Sequence, residues 1–276
     1  MMLTTDNLLH KLAEDRSSGA AQLARQTLAD LALYLEQNPE TEAGELNALA
    51  EKIKNLRPSM FPLANAMNRW QAGMSEQSAI EALEQVRHAL ASAGERLVQN
   101  ALSLVHPGDC LLLHSRSSAV VALLRALVAE QRPFEAIVTQ SAPGFEGHQL
   151  ARELNALGVP TQLITDAQMG LFMSRADLTL SGCDTWLADG QFVNKAGSYL
   201  QALAARDTGT PFWVLADSFK NSEQTAADLT LEEMDPVELN GPEGAFIRPR
   251  NIYFEIVPCR LITGRLDEVS VYNTDL

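Results

Sequence analysis

The chain has 276 residues, 46% of them hydrophobic, and a formal charge of −14 from 21 Lys and Arg against 35 Asp and Glu. That is room for one large domain or two smaller ones around a sizeable core, and the negative field repels nucleic acid and anionic membranes, so neither is an expected partner. Any anionic ligand must be held by a local cluster of donors. Cys110, Cys183 and Cys259 are odd in number, far apart and in no CxxC or Cys/His spacing, which predicts no disulfide framework, no metal site and no cofactor. Met1 to Asp15 lacks a basic segment followed by an apolar run, and no stretch approaches ~18 apolar residues. The expected compartment is the cytoplasm.

The first 105 residues read as helix. Leu8, Leu9, Leu12 and Ala13 share one face; Ala, Leu and Tyr recur at spacings of three and four from Ala20 to Leu35. A third run, Glu42 to Leu56, stops at Arg57-Pro58, where proline disfavours helix for the residue before it. A fourth starts near Met60, and a fifth carries Ile80, Leu83, Val86, Leu90, Ala93, Leu97, Ala101 and Leu104 on one stripe. The region is poor in β-branched residues, as a helical bundle would be.

His106-Pro107-Gly108-Asp109 breaks that rhythm. Beyond it come short apolar runs at Cys110–Leu113, Ala136–Val138, Gln162–Ile164, Leu178–Leu180 and Phe212–Leu215. Helical patterns at Ala119–Glu130, Gln149–Leu157 and Tyr199–Ala205 separate several of them. Alternating strand and helix predicts βαβ units, a parallel sheet and helices on both faces. The expected architecture is α/β: a helical N-terminal domain over 1–105 and a Rossmann-like parallel-sheet domain over 106–276. Asn221 to Gly244, acidic and carrying Asn240-Gly241-Pro242, reads as a long mobile loop.

Ligands of such sheets sit beyond the carboxyl ends of the strands, and the segments there are polar. His114-Ser115-Arg116-Ser117-Ser118 follows the first strand; it suits a phosphate at a helix N-terminus, or simple helix capping by Ser117 or Ser118. Ser181-Gly182-Cys183-Asp184 follows the fourth. Asp184, close to Trp186 and Leu187, suits a general acid or base with a raised pKa, or a turn aspartate. Asn194 and Lys195, after the hairpin-like Ala188-Asp189-Gly190-Gln191, supply an amide and a cation for an anionic, polyhydroxylated ligand. Lys220 reads as solvated surface, and Cys110 and Cys183 as core residues.

Cys183-Asp184 with Asp189-Gly190-Gln191-Phe192-Val193-Asn194-Lys195-Ala196-Gly197-Ser198-Tyr199 resembles the "GAD…DG-x-VVNKIGTY" signature of the initiation factor 2B and methylthioribose-1-phosphate isomerase superfamily, which also holds ribose-1,5-bisphosphate isomerase. The likeness runs on through Pro211–Lys220 and Asn251–Pro258. Upstream, Phe145-Glu146-Gly147 resembles "ESRP-x-x-EG", Arg57-Pro58-Ser59 resembles "RPT", and Asp15 to Ala20 resembles a "D…GA" helix entry. The resemblance implies a helical domain joined to a Rossmann-like domain, assembled as dimers. In the family's isomerases a cysteine and the "GAD" aspartate face an open-chain sugar, while the Asn-Lys pair and the "RP" arginine bind phosphate or sugar oxygens.

Carried over residue by residue, this gives Asp184 and Ser115 as the catalytic positions and Arg57, Arg116, Glu146, Gly147, Asn194 and Lys195 as ligand-binding positions. The cysteine position is Ser115, whose hydroxyl has a far higher pKa than a thiol. The "ESRP" arginine is Ala142 and its glutamate Gln140; Ser18 replaces another arginine, with Arg116 as possible compensation. The leading expectation is a regulatory-subunit-like protein that binds a phosphorylated sugar or nucleotide with weak or no catalysis. An aldose–ketose isomerase of a phosphorylated pentose comes second, and an interaction protein with a vestigial pocket third. Arg57, Asn194 and Lys195 are expected to line one pocket. A homodimer is expected through Ile252, Phe254, Ile256 and Val257.

Overall fold

The computed structural model describes residues 3–15, 19–57, 61–231 and 233–273. Ser18, Pro58, Ser59 and Met60, which entered the motif and helix readings above, lie outside the described residues. Two compact units emerge, Met1–Glu95 with Asp217–Asn221, and Arg96–Ala216 with Ser222–Leu276.

The helical unit contains α1 (Thr5–Glu14), α2 (Ala20–Gln37), α3 (Ala43–Leu56), α4 (Phe61–Gly73) and most of α5 (Ala79–Ala101). The apolar stripe of each helix is what it buries: Leu8 and Leu12 from α1, Leu28 and Leu31 from α2, Leu49 and Ile53 from α3, Leu63, Met67 and Trp70 from α4, and Leu83, Val86 and Leu90 from α5 share one core. Thr4 caps α1 by accepting from the Asn7 amide.

A short 3₁₀ turn, Ser218–Lys220, belongs to this unit although in sequence it lies between strands of the other. Phe219 is fully buried in the helical core. The Arg69 guanidinium lies 3.8 Å over its ring, and Asn65 Nδ2 donates to the carbonyls of Phe219 and Asn221, both at 2.7 Å. This corrects the reading of Lys220 as solvated surface. It is only 8% exposed, because the turn that inserts Phe219 takes the next residue in with it.

The α/β unit has β1 (Cys110–Leu113), α6 (Ser118–Ala129), β2 (Glu135–Thr139), α7 (Glu146–Ala156), β3 (Thr161–Ile164), α8 (Met169–Met173), β4 (Leu178–Ser181), β5 (Thr185–Trp186), β6 (Gln191–Lys195), α9 (Ser198–Thr208), β7 (Phe212–Leu215), β8 (Phe254–Pro258), β9 (Gly264–Leu266) and β10 (Val271–Asn273). Among the described residues one sheet has seven strands in the order β10-β9-β7-β4-β1-β2-β3. It is parallel except for β10. Strand side chains alternate between faces, and the core divides accordingly. Leu111, Leu113, Ala136, Val138, Leu178 and Leu180 pack in one cluster with α6 and the end of α5. Leu112, Ile137, Phe212 and Val214 pack in the other with α8 and α9.

The order reverses between β1 and β4, so the crevice that such sheets use for ligands lies past the carboxyl ends of these two strands. A second, antiparallel sheet, β5-β6-β8, projects from the end of β4. Its first two strands are the hairpin read from Ala188–Gln191, with Trp186 opposite Phe192. No helix of the described residues is long and apolar enough to cross a membrane.

Val257 does not serve the predicted dimer surface, because it is fully buried in the core of its own chain. Ile252 is exposed, and Phe254 and Ile256 are half-buried.

Phe219→Ala removes a large, fully buried ring from the helical core. It should lower stability by about 3–5 kcal/mol, read as an earlier urea midpoint by far-UV circular dichroism. An unchanged midpoint would contradict the placement of this turn.

Candidate functional site

Three polar segments meet at the switch point: residues 114–117 after β1, 140–147 after β2 and 181–184 after β4. The end of β6, Asn194–Gly197, joins them through His114. His114 is buried, with Nε2 2.8 Å from the Ala196 carbonyl and Nδ1 2.6 Å from the Thr139 hydroxyl. A carbonyl only accepts, so Nε2 carries a proton. Burial favours the neutral ring, in which Nδ1 accepts from the Thr139 hydroxyl, with Asp166 Oδ1 3.7 Å from the same nitrogen. Burial is the main cause holding its pKa below the ordinary value, and Lys195 adds to that; the Ala196 bond, Asp166 and Glu255 oppose it. Gly197 is required behind the ring: its φ is +108°, and a Cβ there would fall 2.4 Å from His114 Nε2.

Ser115 and Ser141 both hold left-handed backbone, with φ of 63° and 61°, a costly conformation for a residue with a side chain. They fix each other, since the Ser115 amide donates to Ser141 Oγ at 2.7 Å. The Asp166 carboxylate holds the next two amides, Ser141 and Ala142, both at 2.8 Å. Ser115 is thus presented on a strained strand-to-helix turn. Ser117 occupies the N-cap position of α6 without a side-chain bond to the helix.

Glu146 and Gly147 open α7. A Cβ on Gly147 would fall 1.7 Å from the Thr139 carbonyl, so only glycine lets α7 start this close to β2. Glu146 Oε1 lies 2.5 Å from Lys195 Nζ. Its Oε2 is buried and has no hydrogen-bond partner among the described residues. Lys195 is buried, and its ammonium also lies 3.8 Å over the ring of Tyr253. Tyr253 in turn donates its hydroxyl to Glu238 Oε2.

Adjacent strand residues point to opposite faces, and Asn194 does not follow Lys195. Its Nδ2 donates to Ser181 Oγ at 2.8 Å and Ser198 Oγ at 2.7 Å. Ser198 spends its own proton on the Lys195 carbonyl, so it must accept from Asn194, which fixes the orientation of the amide. Both amide protons are used within the protein. Arg116 is likewise engaged, with Nε 2.8 Å from Glu153 Oε1, a carboxylate it shares with Arg125. Asp184 is half-buried where β4 passes into β5, its amide donating to the Val193 carbonyl at 2.9 Å. Arg57 belongs to the helical unit, where its guanidinium donates to the carbonyls of Asp15 and Leu12. The structure therefore joins Glu146, Gly147 and Lys195 directly and gives Asn194, Arg116 and Arg57 partners of their own.

Tyr253, Thr139, Ser141, Asp166 and Glu255 were not singled out as site residues. Glu255 Oε1 accepts from the amides of Gly197 at 2.6 Å and Tyr199 at 2.8 Å, filling the N-terminus of α9 with a carboxylate. Its signal was its place in the Asn251–Pro258 stretch that resembles the family. Asp166 shows only as an acid after a strand, and no local pattern marks the others.

Because native His114 resists a proton that the unfolded chain accepts, its contribution to stability is intact above about pH 6.5 and lost as pH falls below that, through its lowered folded value. Below pH 6.5, wild-type stability should therefore fall faster than that of His114→Gln, by about 1 kcal/mol per pH unit in urea titrations. Carboxylates common to both proteins cancel in this comparison, and equal slopes would refute the assignment.

A sequence model of the Initiation factor 2 subunit family matches residues 16–274. A Pyrococcus horikoshii protein named as eIF-2B subunit 2-like is 33% identical over 275 residues, covering 96% of this chain and 94% of that protein. A ribose 1,5-bisphosphate isomerase of Archaeoglobus fulgidus is 29% identical over 270 residues, covering 94% and 86%. A crystal structure of the translation initiation factor eIF-2B from Pyrococcus horikoshii superposes with a TM-score of 0.82 at 28% identity, covering 98% of this chain and 96% of that one.

Proposed function

The chain belongs to the Initiation factor 2 subunit family, and from that premise we propose that it binds a phosphorylated, polyhydroxylated small molecule, a sugar phosphate or nucleotide, as a regulatory-subunit-like protein with weak or no catalysis. The observation that carries this reading is Glu146, whose Oε2 is buried without a partner while Oε1 pairs with Lys195. A buried acceptor left unpaired costs about 1–3 kcal/mol, and because the Glu146 side chain is 31% exposed, turning it toward a ligand hydroxyl beside the ammonium would recover that cost. Lys195 then supplies charge to an anionic oxygen, and Asp184, just past the end of β4 beside the switch point, would be placed to interact with a ligand hydroxyl. We place the protein in the cytosol as a homodimer. Exposed Ile252 and the half-buried Phe254 and Ile256 support that assembly.

The second reading, a sugar-phosphate aldose–ketose isomerase, is favoured by Ser115 and Asp184 on the ends of neighbouring strands. Isomerisation moves a proton between adjacent carbons and between their oxygens, which needs two groups that exchange protons near neutral pH. Asp184 suits one role. The Ser115 hydroxyl, with its high pKa, suits the other poorly, and that ranks catalysis second.

A thermal-shift screen of ribose 1,5-bisphosphate, methylthioribose 1-phosphate and nucleoside monophosphates should find a stabilising ligand, worth about 2.7 kcal/mol at a hundredfold its Kd. Turnover of either pentose should be weak or absent. Ser115→Cys should restore a trace, since a thiol titrates near ~8.5, and Asp184→Asn should abolish that trace without unfolding the protein. No stabilisation by any of these compounds would sink the binding reading. Wild-type turnover that falls about 10²–10⁴-fold in Asp184→Asn would install the isomerase instead.

A further inference from the structure

Lys195 has a second neighbour that the proposed binding role does not use. Tyr253 places its ring 3.8 Å from the ammonium and gives its hydroxyl to Glu238. Glu238 Oε2 also accepts from Asn251 Nδ2 at 2.9 Å, and that nitrogen donates to the Asp235 carbonyl at 2.8 Å. Asn251 is 1% exposed. One carboxylate oxygen thus receives two donors from the outgoing limb of a long loop and is itself carried on the incoming limb.

The loop's neck is narrow. Glu233 and Ile252 form an isolated antiparallel bridge, and the Met234 amide donates to the Asn251 carbonyl at 2.6 Å. Inside it a 3₁₀ turn, Pro236–Leu239, is capped by Asp235 Oδ1 accepting from the Val237 amide at 3.0 Å. Residues 239–250 are exposed, Phe246 almost completely, at 99%. With so little apolar burial, closure depends on the few polar bonds at the neck.

We propose that residues 233–253 form a strap latched by Glu238, and that Lys195 controls the latch through Tyr253, which acts as a positioning residue between ligand site and strap. This rests on the reading that Lys195 faces the ligand. The physical link is electrostatic. A cation over a ring is attracted to its electron-rich face, and a hydroxyl donating to a carboxylate makes that face richer. Latch and cation–π contact therefore strengthen each other. An anionic ligand oxygen competes with the ring for the ammonium, draws Lys195 off Tyr253 and loosens the strap.

Amide hydrogen exchange tests the link first without ligand. In Lys195→Met, the amides of Met234, Val237, Glu238 and Asn240 should exchange about tenfold faster than in wild type, with those of β1 and β2 unchanged. Glu238→Gln, which weakens the latch directly, should give the same pattern. Strap exchange in Lys195→Met equal to wild type overturns the proposal, whatever any ligand does. The second arm uses ribose 1,5-bisphosphate. If ligand opens the strap, an open strap must favour ligand, so Glu238→Gln should bind this probe about fivefold more tightly than wild type. Equal or weaker binding overturns the coupling. If wild type binds no phosphosugar, the binding reading of the previous subsection fails, and the ligand-free comparison still decides whether Lys195 holds the strap.

Discussion

A buried ammonium has to be compensated where it sits, and the site is organised around that demand at Lys195. The side chain is held in a largely dehydrated position at the carboxyl end of β6. Desolvating such a charge costs several kcal/mol unless an opposite charge and further polar contacts accompany it. The compensation comes from segments distant in sequence on either side: Glu146 from the start of α7 and Tyr253 from the lead into β8. The helix dipole favours a carboxylate in the first turn of α7, so Glu146 meets the ammonium at little electrostatic cost. Its reach depends on Gly147, which lets the helix begin against the Thr139 carbonyl.

His114 makes the second cross-link. A single neutral imidazole joins the ends of β1 and β2 to the turn after β6, and its tautomer is fixed by the carbonyl on one side. The left-handed serines at 115 and 141 are tolerated because this network over-determines them: each is bonded to a neighbour that is itself bonded. Strain of this kind persists only where the surroundings hold it, and it collects where a backbone must present a group to a ligand. Lys195 and His114 are also electrostatically linked, since the lysine's charge helps keep the imidazole neutral.

Much of the architecture was legible because it is local. The apolar runs at Cys110, Ala136, Leu178 and Phe212 are strands, and the 3.6-residue stripes upstream are helices. The hairpin at Ala188–Gln191 and the acid–cation composition of the strand ends were also visible. What escaped depends on partners distant in sequence. Lys220 looks like surface until Phe219 is seen inside the helical core. Val257 looks available until β8 is seen pairing with β6. Asn194 and Lys195 are adjacent letters with a shared motif, yet strand geometry sends one to Ser181 and Ser198 and the other to Glu146. Arg116 reads as a spare cation, and no pattern in the sequence predicts Glu153 as its carboxylate.

The distribution of donors and acceptors bears on what the α/β unit recognises. Of the carboxylates near the strand ends, Asp166 is satisfied by the amides of Ser141 and Ala142, and Glu255 by those of Gly197 and Tyr199. Because Glu255 accepts from the amides of Gly197 and Tyr199, those two are not offered to a phosphate. Glu146 keeps one buried oxygen without a hydrogen-bond partner among the described residues, and Asp184 stands half-buried at the switch point. On the reading we propose, the unpaired Glu146 oxygen would accept from a ligand hydroxyl, and Lys195, already paired with Glu146, would meet an anionic oxygen. On that proposed reading, a hydroxyl at 115 keeps the shape and the hydrogen-bonding capacity of the position without the acidity of a thiol, which favours binding over proton transfer.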